Sequence, residues 1–195
     1  MEHDFFQFIQ EPSREAFLKS RDFVINHEEY DPYSDDLDTI EALLDEGKFE
    51  EAVDYHNINV LLCPKAHLYK SFALKKLGRE DDARSESIFA FRIIDNLELT
   101  GDGSLASPYV VTRISDESDF LMHLEEGFGH QSLVNDSGKF LDKITTQSGK
   151  EIHFDITDCY KRIQYLIDSG KMKLPFSGEQ PVEAKRVKKS WWKFW

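Results

Sequence analysis

Apolar residues recur at helical spacing through the first half of the chain. Phe17, Leu18, Phe23, Val24 and Ile25 follow Pro12-Ser13, which predicts a helix capped by Ser13 and ending near Asn26. Asp31-Pro32-Tyr33-Ser34 reads as a turn. Ser34 is then the N-cap of a second helix running to about Glu46, with Asp35 and Asp36 at its positive end. From that point the chain echoes itself: Gly47-Lys48-Phe49-Glu50-Glu51-Ala52 returns as Gly78-Arg79-Glu80-Asp81-Asp82-Ala83, a shift of 31 residues. Each copy follows leucines that close a helix. Gly ends one helix in a left-handed turn, acids open the next, and Ala five positions on lets two antiparallel helices approach closely. Pro64 fits between the copies as the first residue of a helix.

After Leu99 the texture shifts to glycine turns and short β-rich runs, placing a boundary near Thr100-Gly101-Asp102-Gly103. Tyr109 to Ile114 predicts a strand. Asp116 to Leu124 predicts a short amphipathic helix with Phe120, Leu121 and Leu124 inward, closed by Gly127 and Gly129. Phe140–Thr145 and Ile152–Ile156, joined by Gln147-Ser148-Gly149-Lys150, alternate as a hairpin does, so three or four antiparallel strands are expected. Asp158 to Ile167 is a last helix, ended by Ser169-Gly170. The expected class is α+β: a helical region over 1–99, a small antiparallel β module with a helix over 100–170, and a linker and tail over 171–195.

Residues 36 to 97, through their Gly-to-Ala turns, resemble a tetratricopeptide repeat, although the period is shorter than the usual ~34 residues and two units are visible. The first helix would supply a further neighbour. A second resemblance covers roughly residues 25 to 165. The succession Gly101-Asp102-Gly103, Tyr109-Val110-Val111, an Asp-Glu pair, Gln131-Ser132-Leu133 and His153-Phe154-Asp155-Ile156 is similar to an uncharacterised bacterial family that pairs a repeat-like helical half with a small β half. That resemblance implies a fold and assigns no activity.

Composition narrows the function. The net charge of −13 argues against a general nucleic-acid binder, because neutralising phosphates needs a basic face. A protein or peptide partner with basic patches suits it better, including an inhibitor or immunity role against a basic toxin. Tyr55, Asn57, Asn59, Lys65, His67, Lys70 and Arg84 are the candidate partner-binding residues on the repeat helices. Cys63 and Cys159 sit without ligand spacing and read as reduced thiols. Gly101-x-Gly103 lacks the rest of a phosphate cradle, and Asp102-Gly103 the rest of a calcium loop. No cofactor, metal or catalytic residue is indicated, so the expected function is a non-catalytic interaction or scaffold protein. The alternative is an enzyme or metal protein with its site in the 100–160 module, using His123, His130, His153 or Asp155.

The tail is the least ordinary segment. From Pro181 onward its charge is +4, leaving −17 on the rest, and all three tryptophans lie in the last five residues. Lys188, Lys189, Trp191, Trp192, Lys193, Phe194 and Trp195 combine cations with interfacial aromatics, which suits an anionic membrane surface or docking on an acidic protein. With no export signal and no run of ~18 apolar residues, the expected location is the cytoplasm, including the inner membrane face.

Overall fold

The computed structural model describes residues 6–172. Helix α1 (Gln7–Gln10) leads into α2 (Arg14–Ile25), whose Ser13 hydroxyl accepts from the Ala16 N–H at 3.2 Å, as the Pro-Ser signal predicts. Helix α3 (Asp36–Asp45) and the short α4 (Phe49–Asp54) form a first hairpin, α5 (Pro64–Lys76) and α6 (Glu80–Glu98) a second. A single 3-10 turn, Ile58–Val60, joins them.

The two sequence echoes are structurally equivalent. Gly47 and Gly78 both take φ +73°, and the residue after each returns its N–H to a carbonyl five back, Lys48 to Leu43 and Arg79 to Leu74, both at 2.9 Å. Ala52 and Ala83 are completely buried at the crossings. Cys63, Ala66 and Ala73 join Ile40, Leu44 and Ala52 in one core cluster, with Phe49 edge-on to Phe72.

The second half is a four-stranded sheet flanked by helices. Strands β1 (Tyr109–Val110), β2 (Phe128–Asp136), β3 (Lys139–Thr146) and β4 (Glu151–Asp155) lie in the order β1-β4-β3-β2. Helix α7 (Asp116–His123) precedes β2, and α8 (Thr157–Asp168) follows β4. The α+β class holds, and β3 and β4 form the expected antiparallel hairpin, with β2 antiparallel on the other side of β3. Four details differ. β1 pairs parallel to β4 and stops at Val110, because Thr112 and Arg113 turn their N–H groups onto the Asp116 carboxylate. β2, with no apolar alternation to announce it, is the edge strand beside β3. Helix α7 is closed by Glu125 at φ 57°, whose successor returns its N–H to Leu121, ahead of Gly127. Helix α3, for its part, begins beyond Ser34, with Asp35 at the cap and no side-chain cap bond.

Although the secondary structure changes at Thr100, the core does not. Phe8, Phe17, Val24, Tyr30, Ile93 and Leu97 pack with Tyr109, Val111, Phe120, Ile152, Phe154 and Cys159 in one cluster. Polar ties cross the same line. Arg21 donates to the Val111 carbonyl and pairs with Asp158 at 2.8 Å, and Arg162 donates to Tyr30 and Glu28 carbonyls.

Candidate functional site

Charge is the first unevenness on this frame. Between Asp35 and Asp54 there are nine acidic residues and one lysine. Seven of the nine are exposed, Glu41 is half-buried and Asp36 is buried. The lysine, Lys48, is held by Glu46 at 2.7 Å. Acids favour the first turns of α3 and α4 because helix N-termini are positive, but Asp45, Glu46 and Asp54 sit at helix C-terminal ends, where the dipole opposes them. Helix propensity therefore does not account for the whole set.

Asp36 holds the hairpin to its neighbours. Its Oδ1 accepts from the Tyr55 hydroxyl and the Asn57 amide, each at 2.5 Å, and its Oδ2 from the Asn59 amide at 3.0 Å. Burial opposes ionisation of Asp36, yet the bonds from Tyr55, Asn59 and Asn57 outweigh it and hold the carboxyl below its ordinary range. The Asn59 side-chain oxygen accepts from the Asp31 N–H at 2.8 Å, and its backbone carbonyl from Arg113 at 2.9 Å. Tyr55, Asn57 and Asn59, singled out as partner contacts, thus spend these groups inside the fold.

The other expected contacts divide. Lys70 is 3% exposed, its ammonium 2.8 Å from His56 Nδ1, so it belongs to the interior. Burial and then the Lys70 charge lower the His56 pKa, and burial lowers that of Lys70. His67 is half-buried between Glu86 at 2.6 Å and the Leu61 carbonyl at 3.0 Å, and it stacks on Phe89. Lys65 lies over the Tyr69 ring, and Arg84 is exposed on α6.

A cluster of carboxyl groups that sequence reasoning missed lies between the two halves. Asp116, Glu117 and Asp119 open α7, and Asp142 reaches in from β3. Asp116, Glu117 and Asp142 are each no more than 5% exposed. Burial, and after it the neighbouring Asp142, push Glu117 up to about 10, so at neutral pH Glu117 is protonated and donates to Asp142. Gln131 completes the pair by donating to Asp142 at 2.6 Å. Burial raises Asp116 to about 7 against the opposing Arg113 charge, and Asp119 to about 6 against Lys65 and Arg113. Asp116 Oδ1, Glu117 Oε1, Asp119 Oδ2 and Arg113 Nε are buried with no hydrogen-bond partner. Such a proton-sharing pair can act as an acid or base, but neither carboxyl is presented to solvent.

The histidines of the β half do not converge. His123 is exposed at the end of α7, 3.4 Å from Glu98, and His130 is exposed on β2. His153 is buried against the Gly103 carbonyl, and Asp155 faces Lys139 at 3.8 Å. Among the described residues, no group of three or more histidine, cysteine or acidic side chains is arranged to hold a metal ion. Cys63 and Cys159 are free and buried, and burial drives both thiols up to about 12, which leaves them poor nucleophiles. No described helix is long and apolar enough to cross a membrane. The tail from Lys188 to Trp195 lies outside the described residues. In comparisons with known proteins, no family model, curated protein or solved structure matches the chain.

Proposed function

We propose that the chain is a non-catalytic binding protein whose α3–α4 hairpin receives a basic segment of a protein partner. The observation that carries this is the charge of residues 35–54, nine acids against one lysine on a chain of net −13. The negative field is presented by a hairpin made rigid by its own core, which limits the entropy lost on docking. Reading α3 to α6 as two tetratricopeptide-like hairpins agrees with such a role. The cytoplasm is the setting this implies, with the basic aromatic tail as a second contact on an anionic membrane surface.

Reversing Asp45, Glu46 and Asp54 to lysine tests it. All three are exposed at helix C-terminal ends, where lysine suits the helix dipole, and far-UV circular dichroism verifies that each variant keeps its fold. Reversing Glu98, Asp136 and Asp168, also exposed, makes a control of equal charge. Crosslinked capture from the native host should lose its basic partner with the hairpin variant and keep it with the control. Identical captures by both variants would contradict the proposal.

A further inference from the structure

Helix α6 carries a second surface, independent of the acidic hairpin. Its inner face is committed to the core through Ala83, Ala90, Ile93 and Leu97. On the outer face, Arg84, Ile88, Phe91 and Asp95 are all exposed and follow one another at steps of four, three and four residues, so they form a single line. Ile88 and Phe91 are 48% and 58% exposed, high for large apolar side chains on the middle of a helix.

The line has a symmetry that a chance patch lacks. Read in either direction it runs charged, apolar, apolar, charged, with opposite signs at its ends, about a centre between Phe89 and Ala90. Two copies of α6 crossing antiparallel at that centre set Arg84 against the partner's Asp95 and Ile88 against the partner's Phe91. Both contacts then occur twice, which is the condition for an isologous twofold interface. At 1.5 Å rise per residue, Arg84 and Asp95 stand about 8 Å to either side of the centre, within the span over which two crossing helices stay in contact. Asp95 is available for this role: its intrachain contact with Arg92 is long, 3.7 Å, and leaves the side chain 49% exposed.

We propose that α6 is the contact face of a homodimer of this chain, held by two Arg84–Asp95 pairs around an Ile88–Phe91 centre. The patch is small and each chain carries −13, so the dimer belongs to the weak, transient class and forms at moderate salt, where mutual repulsion is screened.

Sedimentation equilibrium of the full chain across the micromolar range, at about 0.15 M salt, gives the test. Wild type should show a reversible monomer–dimer equilibrium. Arg84→Asp and Asp95→Arg should each weaken it about tenfold or more, because each places like charges opposite one another at two points. The double variant Arg84→Asp/Asp95→Arg restores both pairs with their signs exchanged and should recover to within about threefold of wild type. Far-UV circular dichroism verifies that the exposed substitutions leave the fold intact. A wild type that stays monomeric, single variants that associate normally, or a double variant as weak as the singles would each overturn the proposal. None of these results bears on the α3–α4 hairpin.

Discussion

Replacing Asp36 with alanine should be among the most damaging single changes outside the apolar core. It removes the acceptor of three donors, the Tyr55 hydroxyl and the Asn57 and Asn59 amides. Hydrogen bonds to a charged group contribute about 1.5–3 kcal/mol each, but these donors are half-buried and partly rehydrate, so we take the low end and expect a total of about 4–5 kcal/mol. Loss of an acid from the first turn of α3 contributes to the same figure, by about 0.3–1 kcal/mol. Asp36→Asn keeps an oxygen in place and should cost about half as much. Urea unfolding followed by far-UV circular dichroism measures both. A double-mutant cycle with Tyr55→Phe should give a coupling of about 1 kcal/mol or more. The pH dependence has a definite sign. Because the folded carboxyl titrates below its ordinary value, its contribution is present above the ordinary range and is lost as pH falls through the folded value. Wild type should therefore shed stability below about pH 4, with a flatter acid limb in Asp36→Asn. An Asp36→Ala cost under about 1 kcal/mol, or strict additivity with Tyr55→Phe, would refute the reasoning.

Glu117→Gln should be tolerated within about 1 kcal/mol, since the amide can still donate to Asp142, whereas Glu117→Leu should cost about 2 kcal/mol by removing that donor; thermal unfolding distinguishes them. Raised carboxyls act in the opposite sense to Asp36. As pH climbs from about 4 through the folded values of Asp119, about 6, and Asp116, about 7, stability should fall, and Asp116→Asn should flatten that decline. At the second repeat turn, Gly78→Ala should cost about 1 kcal/mol through its φ of +73° alone, because no atom lies within 4 Å of the added Cβ. Ala83→Leu, at a fully buried crossing, should cost about 1–3 kcal/mol by overpacking, again read from unfolding midpoints.

The parts of the fold that could be read from the chain are those set by local stereochemistry. Gly47 and Gly78 announce left-handed turns, Ser13 a cap, Pro64 a helix start, and Gln147 to Lys150 the β3–β4 turn. Strand β2 escaped because it is an edge strand, exposed except at half-buried Ser132 and Val134, so Phe128 to Asp136 carries no alternating apolar signal. β1 was overextended because Val111 is fully buried and looks like a strand residue, while the chain leaves the sheet to wrap Asp116. The carboxyl cluster was hidden for a different reason. Acids at Asp116, Glu117 and Asp119 are what any exposed helix N-terminus would show, and only the packing of α7 against α5 and β3 turns that first turn inward. Lys70 misled in the same way, as a cation that periodicity alone cannot place inside. Burial of a polar residue is a property of tertiary contacts, which is why the Asp36 network and the Glu117–Asp142 pair required coordinates.

Mapping a basic ligand onto the isotopically labelled chain by NMR would bear most directly on the proposed role. Titration with a lysine-rich peptide, or with the captured partner, should shift amide signals from Asp35 to Asp54, and the shifts should fade as salt is raised. Perturbations centred on α6, α8 or the sheet, with the 35–54 signals unmoved, would contradict the assignment of the acidic hairpin as the binding surface.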